Sequence, residues 1–264
     1  MIRFVTYSAA NMTISRDKCA QDAAKNGADE VHVFHSGLDV SQEFYKTNKA
    51  ILDAEFAVNY EPSPRPCNGY WLHKPYFINR VMMEAQDGDY IVYVDAGCEI
   101  IAPLNAIIPY MDQDVFLFTN GLNHIEWCKM DVIAAINKDA ITVDHSKEGY
   151  FLGYDPHYIR AQQVQASAMW IRVSPFSRKF IKEWLVWCQM PGMIDDSPSE
   201  LHNYPTFASH RYDQAILCCL QIKYELKTHW WPDARWFESQ RYRWPEDTYP
   251  SMFIHHRKRN EEWS

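Results

Sequence analysis

The chain of 264 residues lacks several things that would place it quickly. It has no Cys-x-x-Cys pair, and its seven cysteines are an odd number. That spacing argues against a disulfide framework and against a structural zinc site, and leaves buried free thiols in a reducing compartment. No Gly-, Ser- or Pro-rich tract is long enough to act as a linker, and there is no internal repeat, so the length reads as one domain. No window is long and apolar enough to cross a membrane, and the run Met1–Tyr7 is too short for the apolar core of a signal peptide. These absences predict a soluble cytoplasmic protein with no transmembrane segment. An excess of basic residues is also missing: 26 Lys and Arg stand against 34 Asp and Glu, for a formal net charge of −8. A nucleic-acid binder resting on phosphate contacts is thereby disfavoured, whereas a small anionic ligand needs only a local basic cluster.

What the chain does have is apolar and aromatic material. Hydrophobic residues make up 47%, enough for a sizeable core, and ten Trp with sixteen Tyr supply rings for packing or for stacking on sugars and bases. The stretch that organises the rest runs from Asp87 to Glu99. An Asp-Gly-Asp turn leads into Tyr90-Ile91-Val92-Tyr93-Val94, apolar without alternation, which is the pattern of a strand covered on both faces. The strand stops at Asp95, followed by two small residues. Ligands of open α/β sheets bind beyond the carboxyl ends of strands, so an acid with small neighbours there leaves room for a hard cation and a phosphate. The alternative is an Asp that only caps a turn.

Around this strand the pattern alternates β and α. Ile2 to Thr6 and Glu30 to His35 read as strands, and Asp17 to Lys25 and Ser41 to Ala54 as helices, the second with a capping Ser. Glu61 to Gly69 is a proline-containing loop. Pro75 suits the first turn of a helix reaching Ala85, which puts Lys74 at a helix start, against the dipole rule. Ile100 to Tyr110 reads as a connection and helix, Val115 to Thr119 as a strand, Glu126 to Asn137 as a helix and Tyr150 to His157 as a loop. Ala168 to Val173 reads as a strand, and Ser174-Pro175 opens a long helix to Gln189. Asp195 to Thr206 reads as a polar loop ahead of a helix over Ala215 to Leu220.

Four segments together resemble the GT-A-fold nucleotide-sugar glycosyltransferases. Tyr90 to Gly97 is similar to the strand leading into the Asp-x-Asp of that superfamily. Gly69-Tyr70-Trp71-Leu72-His73-Lys74-Pro75 is similar to a Trp-Lys-Pro segment that often precedes the strand in a poorly characterised branch. His210-Arg211-Tyr212-Asp213-Gln214 resembles an Asp-Gln helix start near the sugar, and His255-His256-Arg257-Lys258-Arg259 a C-terminal His and basic cluster that closes on the diphosphate. The resemblance implies an α/β, Rossmann-like, mostly parallel sheet flanked by helices, with a nucleotide-binding part over about 1–120 and an acceptor part over about 121–264. It implies transfer of a hexose or pentose from a UDP- or GDP-type donor to a glycan hydroxyl, assisted by Mn²⁺ or Mg²⁺.

By that resemblance Asp95, His255 and His256 are the metal-ligand candidates, and Thr6 and Tyr7 end the first strand where base and ribose would sit. Lys74, Gln165, Ser167, His210, Arg211, Gln214 and Arg257 are candidates for contact with the donor. Asp213 is the candidate general base, with two alternatives open: a helix N-cap, or a contact to the donor sugar. One departure stands out, because the second acid of Asp-x-Asp is Gly97 here. Glu99 or a C-terminal His would have to complete a metal shell, or metal dependence is weak. Two competing functions remain. A nucleotide-sugar or glycan-binding protein without catalysis would keep the fold. A nucleotidyltransferase would need a Gly-rich phosphate loop after the first strand, and Ser8-Ala9-Ala10-Asn11 is not one.

Overall fold

The structure, a computed structural model, describes residues 1–54, 68–138, 141–144, 151–154, 158, 160–235 and 249–263. Its centre is a six-stranded mixed sheet built from β1 (Ile2–Ser8), β2 (Glu30–His35), β3 (Tyr90–Val94), β5 (Val115–Asn123), β8 (Gln162–Arg172) and β9 (Thr228–Trp230), in the order β2-β1-β3-β8-β5-β9. Three of the five pairings are parallel; β8 runs antiparallel to both β3 and β5. Two smaller sheets pair β4 (Cys98–Ile100) with β10 (Phe253–His255), and β6 (Ile141–Asp144) with β7 (Phe151–Tyr154). The order places β2 on one side of β1 and β3 on the other, so the chain reverses its winding between β1 and β3. That is the point at which doubly wound sheets open a crevice beyond their carboxyl ends.

Helices cover both faces. On one, α3 (His73–Glu84), α4 (Met130–Ile136), α5 (Pro175–Cys188) and α6 (Tyr212–Lys223) bury Phe77, Ile78, Phe180, Trp184 and Ile216 against Val5, Ile91 and Met169. On the other, α1 (Thr13–Lys25) and the 3₁₀ turn Leu104–Tyr110 bury Cys19, Ala23 and Ile107 against Phe4, Val92 and Trp170. α2 (Gln42–Leu52) starts where Ser41 caps it, its hydroxyl accepting from the Phe44 N–H. β3 is buried on both sides, which is why its sequence does not alternate.

Several boundaries differ from the sequence reading, and each for a local reason. α3 begins two residues before Pro75, so Lys74 lies inside its first turn. α6 begins at Tyr212, three residues before the apolar run, so Asp213 sits in the first turn and Arg211 is the N-cap. The segment after Glu99 is a three-residue strand followed by a 3₁₀ turn containing Pro109, because β4 is claimed by a pairing with the chain's last strand. Within Tyr150 to His157, Phe151–Tyr154 is a strand paired to β6, a partner invisible to local patterning. β8 is six residues longer at its start than the apolar run suggested. The loop over Glu61 to Gly69 falls outside the described residues except at its last two positions.

Ser174 caps α5 through a reciprocal box: its hydroxyl accepts from Ser177 N–H, and the Ser177 hydroxyl accepts from Ser174 N–H. It also donates to Asp114 at 2.6 Å. Ser174→Ala should therefore lower stability by about 1–2 kcal/mol, read as a shift in denaturation midpoint with an unchanged slope. A midpoint equal to wild type would show that the cap contributes nothing.

Candidate functional site

The carboxyl ends of β1 and β3 open into a cavity of about 410 Å³. Its wall draws on α3, the start of α6, and the strap formed by β10 and the residues after it. Alternation along β1 turns Tyr7 toward α3 and the cavity and Thr6 toward α1. Alternation along β3 places Tyr93 and Asp95 on one side. Opposite Leu117 the β5–β8 register shifts, and there Ser167 turns into the cavity while its carbonyl accepts the Asp95 N–H at 2.8 Å.

At the floor, the Lys74 ammonium lies 3.1 Å from Asp213 Oδ2 and 3.4 Å from Asp95 Oδ1, and 5.5 Å from the centre of the Tyr93 ring. Its side chain is 4% exposed and that of Asp213 5%, against 27% for Asp95. The Tyr93 hydroxyl donates to Asp95 at 2.6 Å. Burial would strip the Lys74 proton, but the carboxylates of Asp213 and Asp95 outweigh it and hold the pKa above its usual value. Burial pushes Asp213 up to about 6, with Lys74 opposing and Asp95 adding to the rise. Trp184 Nε1 donates to the Asp213 carbonyl at 2.9 Å and fixes the α6 N-terminus on α5.

Four cationic side chains line the cavity (Lys74, Arg211, Arg257 and Arg259) against two carboxylates, Asp95 and Asp213. The local balance is thus positive in a chain of net charge −8. Arg211 lies over the Trp127 ring at 4.3 Å, which holds the guanidinium without neutralising it. Gln214 also lines the cavity, its Oε1 accepting from Ala166 N–H at 3.3 Å.

The strap explains Gly97. β10 pairs antiparallel with β4, and the N–H groups of His256 and Arg257 both bond the Gly97 carbonyl, at 2.8 and 3.0 Å. A Cβ at residue 97 would stand 2.9 Å from the Arg257 Cα. The place of a second acid is thus filled by backbone. Asp95 is already engaged by Lys74 and Tyr93. His255 lines the cavity with its Nε2 accepting from Arg257 Nε at 3.2 Å, and burial first, then Arg257, lowers its pKa to about 4. The next residue on an extended strap faces the other way: His256 packs edge-on against Trp263, outside the cavity. Glu99 pairs with Lys18 at 3.2 Å. Asp95, His255 and His256 therefore do not come together as a metal shell. Among the described residues, the group able to hold a metal is elsewhere: His124, Cys128 and Cys219.

Three other sequence candidates lie off the cavity. Thr6 is fully buried on the α1 side of the sheet. Gln165 bonds Asn120 and Ser167 behind the wall. His210 is buried, its Nδ1 accepting from Lys129 N–H and its Nε2 bonded to the Met193 carbonyl, and burial lowers its pKa to about 3. Its neutral ring ties the residue 190–200 loop to the start of α4.

The structure adds residues that lie inside the motifs but were not among the candidate site residues. Tyr93 lies two positions before Asp95, so a period of two along the strand already places it beside that acid. Trp71 and Tyr212 line the cavity with their rings 5.4 Å apart, and Arg259, from the basic cluster that the resemblance puts near the diphosphate, lines it with them. Among the described residues, Tyr70, Trp71, Tyr212, Arg257 and Glu225 are the non-glycine residues with positive φ. Three of the five line the cavity and a fourth, Tyr70, packs on Tyr212 at 5.1 Å. Strain of about 1–3 kcal/mol per such residue gathers where surroundings over-determine the backbone, which is a mark of functional walls.

No protein-family model matches the chain, and a search of the curated proteins finds no match. Solved structures similar to it include glycosyltransferases. Mouse xyloside xylosyltransferase 1 in its apo form is similar over 97% of this chain and 97% of its own, at 8% identity and a TM-score of 0.44. The galactosyltransferase LgtC, in complex with donor and acceptor sugar analogues, is similar over 98% of this chain and 87% of its own, at 13% identity and a TM-score of 0.41. The bifunctional glycosyltransferase WbbM is similar over 83% of this chain and 37% of its own, at 10% identity and a TM-score of 0.40. At such scores the reading of the site rests on its own geometry.

Gly97→Ala tests the seat of the strap. The added Cβ meets backbone, not a flexible side-chain tip, so stability should fall by about 1–3 kcal/mol, with faster proteolysis after residue 249. Wild-type melting and proteolysis in this variant would show that the strap does not rest on Gly97.

Proposed function

We propose that this chain is a glycosyltransferase that moves a sugar from a nucleoside diphosphate donor to a hydroxyl of a glycan acceptor. The observation that carries this reading is the positive cavity at the carboxyl ends of β1 and β3, with a buried Lys74 held between Asp95 and Asp213. The bond that breaks joins the anomeric carbon to a phosphate oxygen, and negative charge develops on the departing diphosphate. Arg257 and Arg259 on the strap, Arg211 at the α6 start, and Lys74 at the floor are positioned to take up that charge. Tyr7, Trp71 and Tyr212 offer ring surface for a base or sugar.

Asp213 serves in this reading as the base that accepts the acceptor's hydroxyl proton as the new glycosidic bond forms. A carboxyl held at about 6 is matched to that task near neutral pH, being ionised yet basic. Lys74 keeps the two carboxylates together without mutual repulsion. The chain's donor set at Asp95 does not suit a divalent ion, because one carboxylate already paired to an ammonium is a poor site for a hard cation. The leaving-group charge thus falls to side chains, and donor binding should survive chelators. No described helix is long and apolar enough to cross a membrane.

A thermal-shift panel of UDP, GDP and CDP, with chelator or with Mn²⁺ or Mg²⁺, tests the donor site. A diphosphate at a hundred times its Kd should add about 2.7 kcal/mol of stability, retained in chelator and lost in a double Arg257→Ala, Arg259→Ala variant. The absence of a shift with all three diphosphates would sink the reading. Turnover should fall as pH drops through about 6, where Asp213 takes up its proton. Asp213→Asn should lose on the order of 10²–10⁴ in kcat while still binding the diphosphate. A rate that stays flat well below that pH would remove Asp213 from the base role. Binding without any turnover would leave a nucleotide-sugar-binding protein.

A further inference from the structure

We propose that His124, Cys128 and Cys219 form a buried site for a soft tetrahedral cation, zinc in the first place. It lies apart from the donor cavity, and none of its residues lines that cavity. The three come from separate segments: His124 from the turn after β5, Cys128 from the approach to α4, and Cys219 from the middle of α6. All three are buried, at 0%, 1% and 0% exposure.

The geometry matches the ion. A tetrahedral zinc with Zn–S near 2.3 Å and Zn–N near 2.05 Å sets its sulfurs about 3.8 Å apart and sulfur from nitrogen about 3.6 Å apart. Here the two Sγ atoms are 3.8 Å apart, His124 Nε2 is 3.3 Å from Cys219 Sγ, and all three ligand atoms lie within 4.8 Å of one another. The sulfurs are too far apart for a disulfide, and both thiols are free. Cys218, next on α6, is not part of the group; its thiol donates to the Gln162 carbonyl at 3.4 Å.

A second observation points the same way. His124 is fully buried, yet its Nδ1 has no hydrogen-bond partner and its Nε2 faces only sulfur. Thiols are weak donors and weak acceptors, so they compensate poorly for burying an imidazole. A cation taking the Nε2 lone pair and two thiolates would replace the weak contact between Nε2 and sulfur with coordinate bonds. The ligand set, nitrogen and sulfur without carboxylate, selects zinc over magnesium or manganese. Its effect would be structural. It would staple α6 to the segment that already bonds the approach to α6, where Arg211 N–H reaches the Trp127 carbonyl at 3.0 Å and Ala208 N–H the Glu126 carbonyl at 2.8 Å.

The experiment is metal analysis of the natively purified full chain, followed by cobalt substitution. The expected result is one zinc per chain and, with Co²⁺, thiolate charge-transfer and tetrahedral d–d bands. Cys128→Ser and Cys219→Ser should each weaken cobalt binding by about tenfold or more, while Cys188→Ser, a buried cysteine on α5, leaves the bands unchanged. Trace metal only, with no cobalt bands in the wild-type chain, would overturn the site. So would a Cys128–Cys219 disulfide found by mass spectrometry of the native protein. Should a ligand variant fail to fold, the wild-type cobalt spectrum and the Cys188→Ser control still decide. None of these readouts depends on the donor reading.

Discussion

The ammonium of Lys74, buried between Asp95 and Asp213, is the constraint on which the site depends. It joins the first turn of α3, the end of β3 and the first turn of α6, three elements far apart in sequence. Each carboxylate alone would be costly at that depth, and two without a cation would repel. Removing one partner of a buried ion pair typically costs about 3–5 kcal/mol, so α3 and α6 cannot drift from β3 without leaving charge uncompensated. Burial at that depth holds Asp213 up at about 6 against the opposing pull of Lys74, while Asp95 lines the same cavity. Stability and chemistry therefore draw on one set of contacts.

The strap supplies the other half of the wall. It reaches the cavity because β10 pairs with β4, directly after Asp95, and because residue 97 has no side chain to hold it off. Its arginines then stand over the carboxyl end of the strand that carries Asp95. Strained backbone at Trp71, Tyr212 and Arg257 faces the same space from three directions. The parts read as a nucleotide half and an acceptor half meet in one cavity: Tyr7, Lys74 and Asp95 come from the first, Asp213 and Arg257 from the second.

The cysteines show how far local spacing reaches. The absence of Cys-x-x-Cys argued against zinc, and it is true that no two neighbouring cysteines form a knuckle. The proposed site instead takes one residue from each of three separate segments, Cys128 and Cys219 lying 91 positions apart. A spacing rule registers ligands that one turn presents together and is blind to ligands that packing assembles.

The sequence by itself determined the elements with strong periodicity. These are β2 at Glu30–His35, the apolar β3 ending at Asp95, the Ser41 and Ser174 caps, and an α/β alternation read as a mostly parallel sheet flanked by helices, within which β8 proved antiparallel. Those follow from side-chain patterns within ten residues or so, where local physics is enough. Tertiary structure decided the rest. It chose Lys74 as the partner of both acids, made Gly97 a seat for backbone instead of a lost ligand, and sent His256 outward while His255 faced in. It moved Thr6, Gln165 and His210 off the cavity. Those outcomes depend on which face of a strand is covered, and by what, across more than a hundred residues. No local pattern encodes that, because the partner is chosen only when the sheet order brings the segments together.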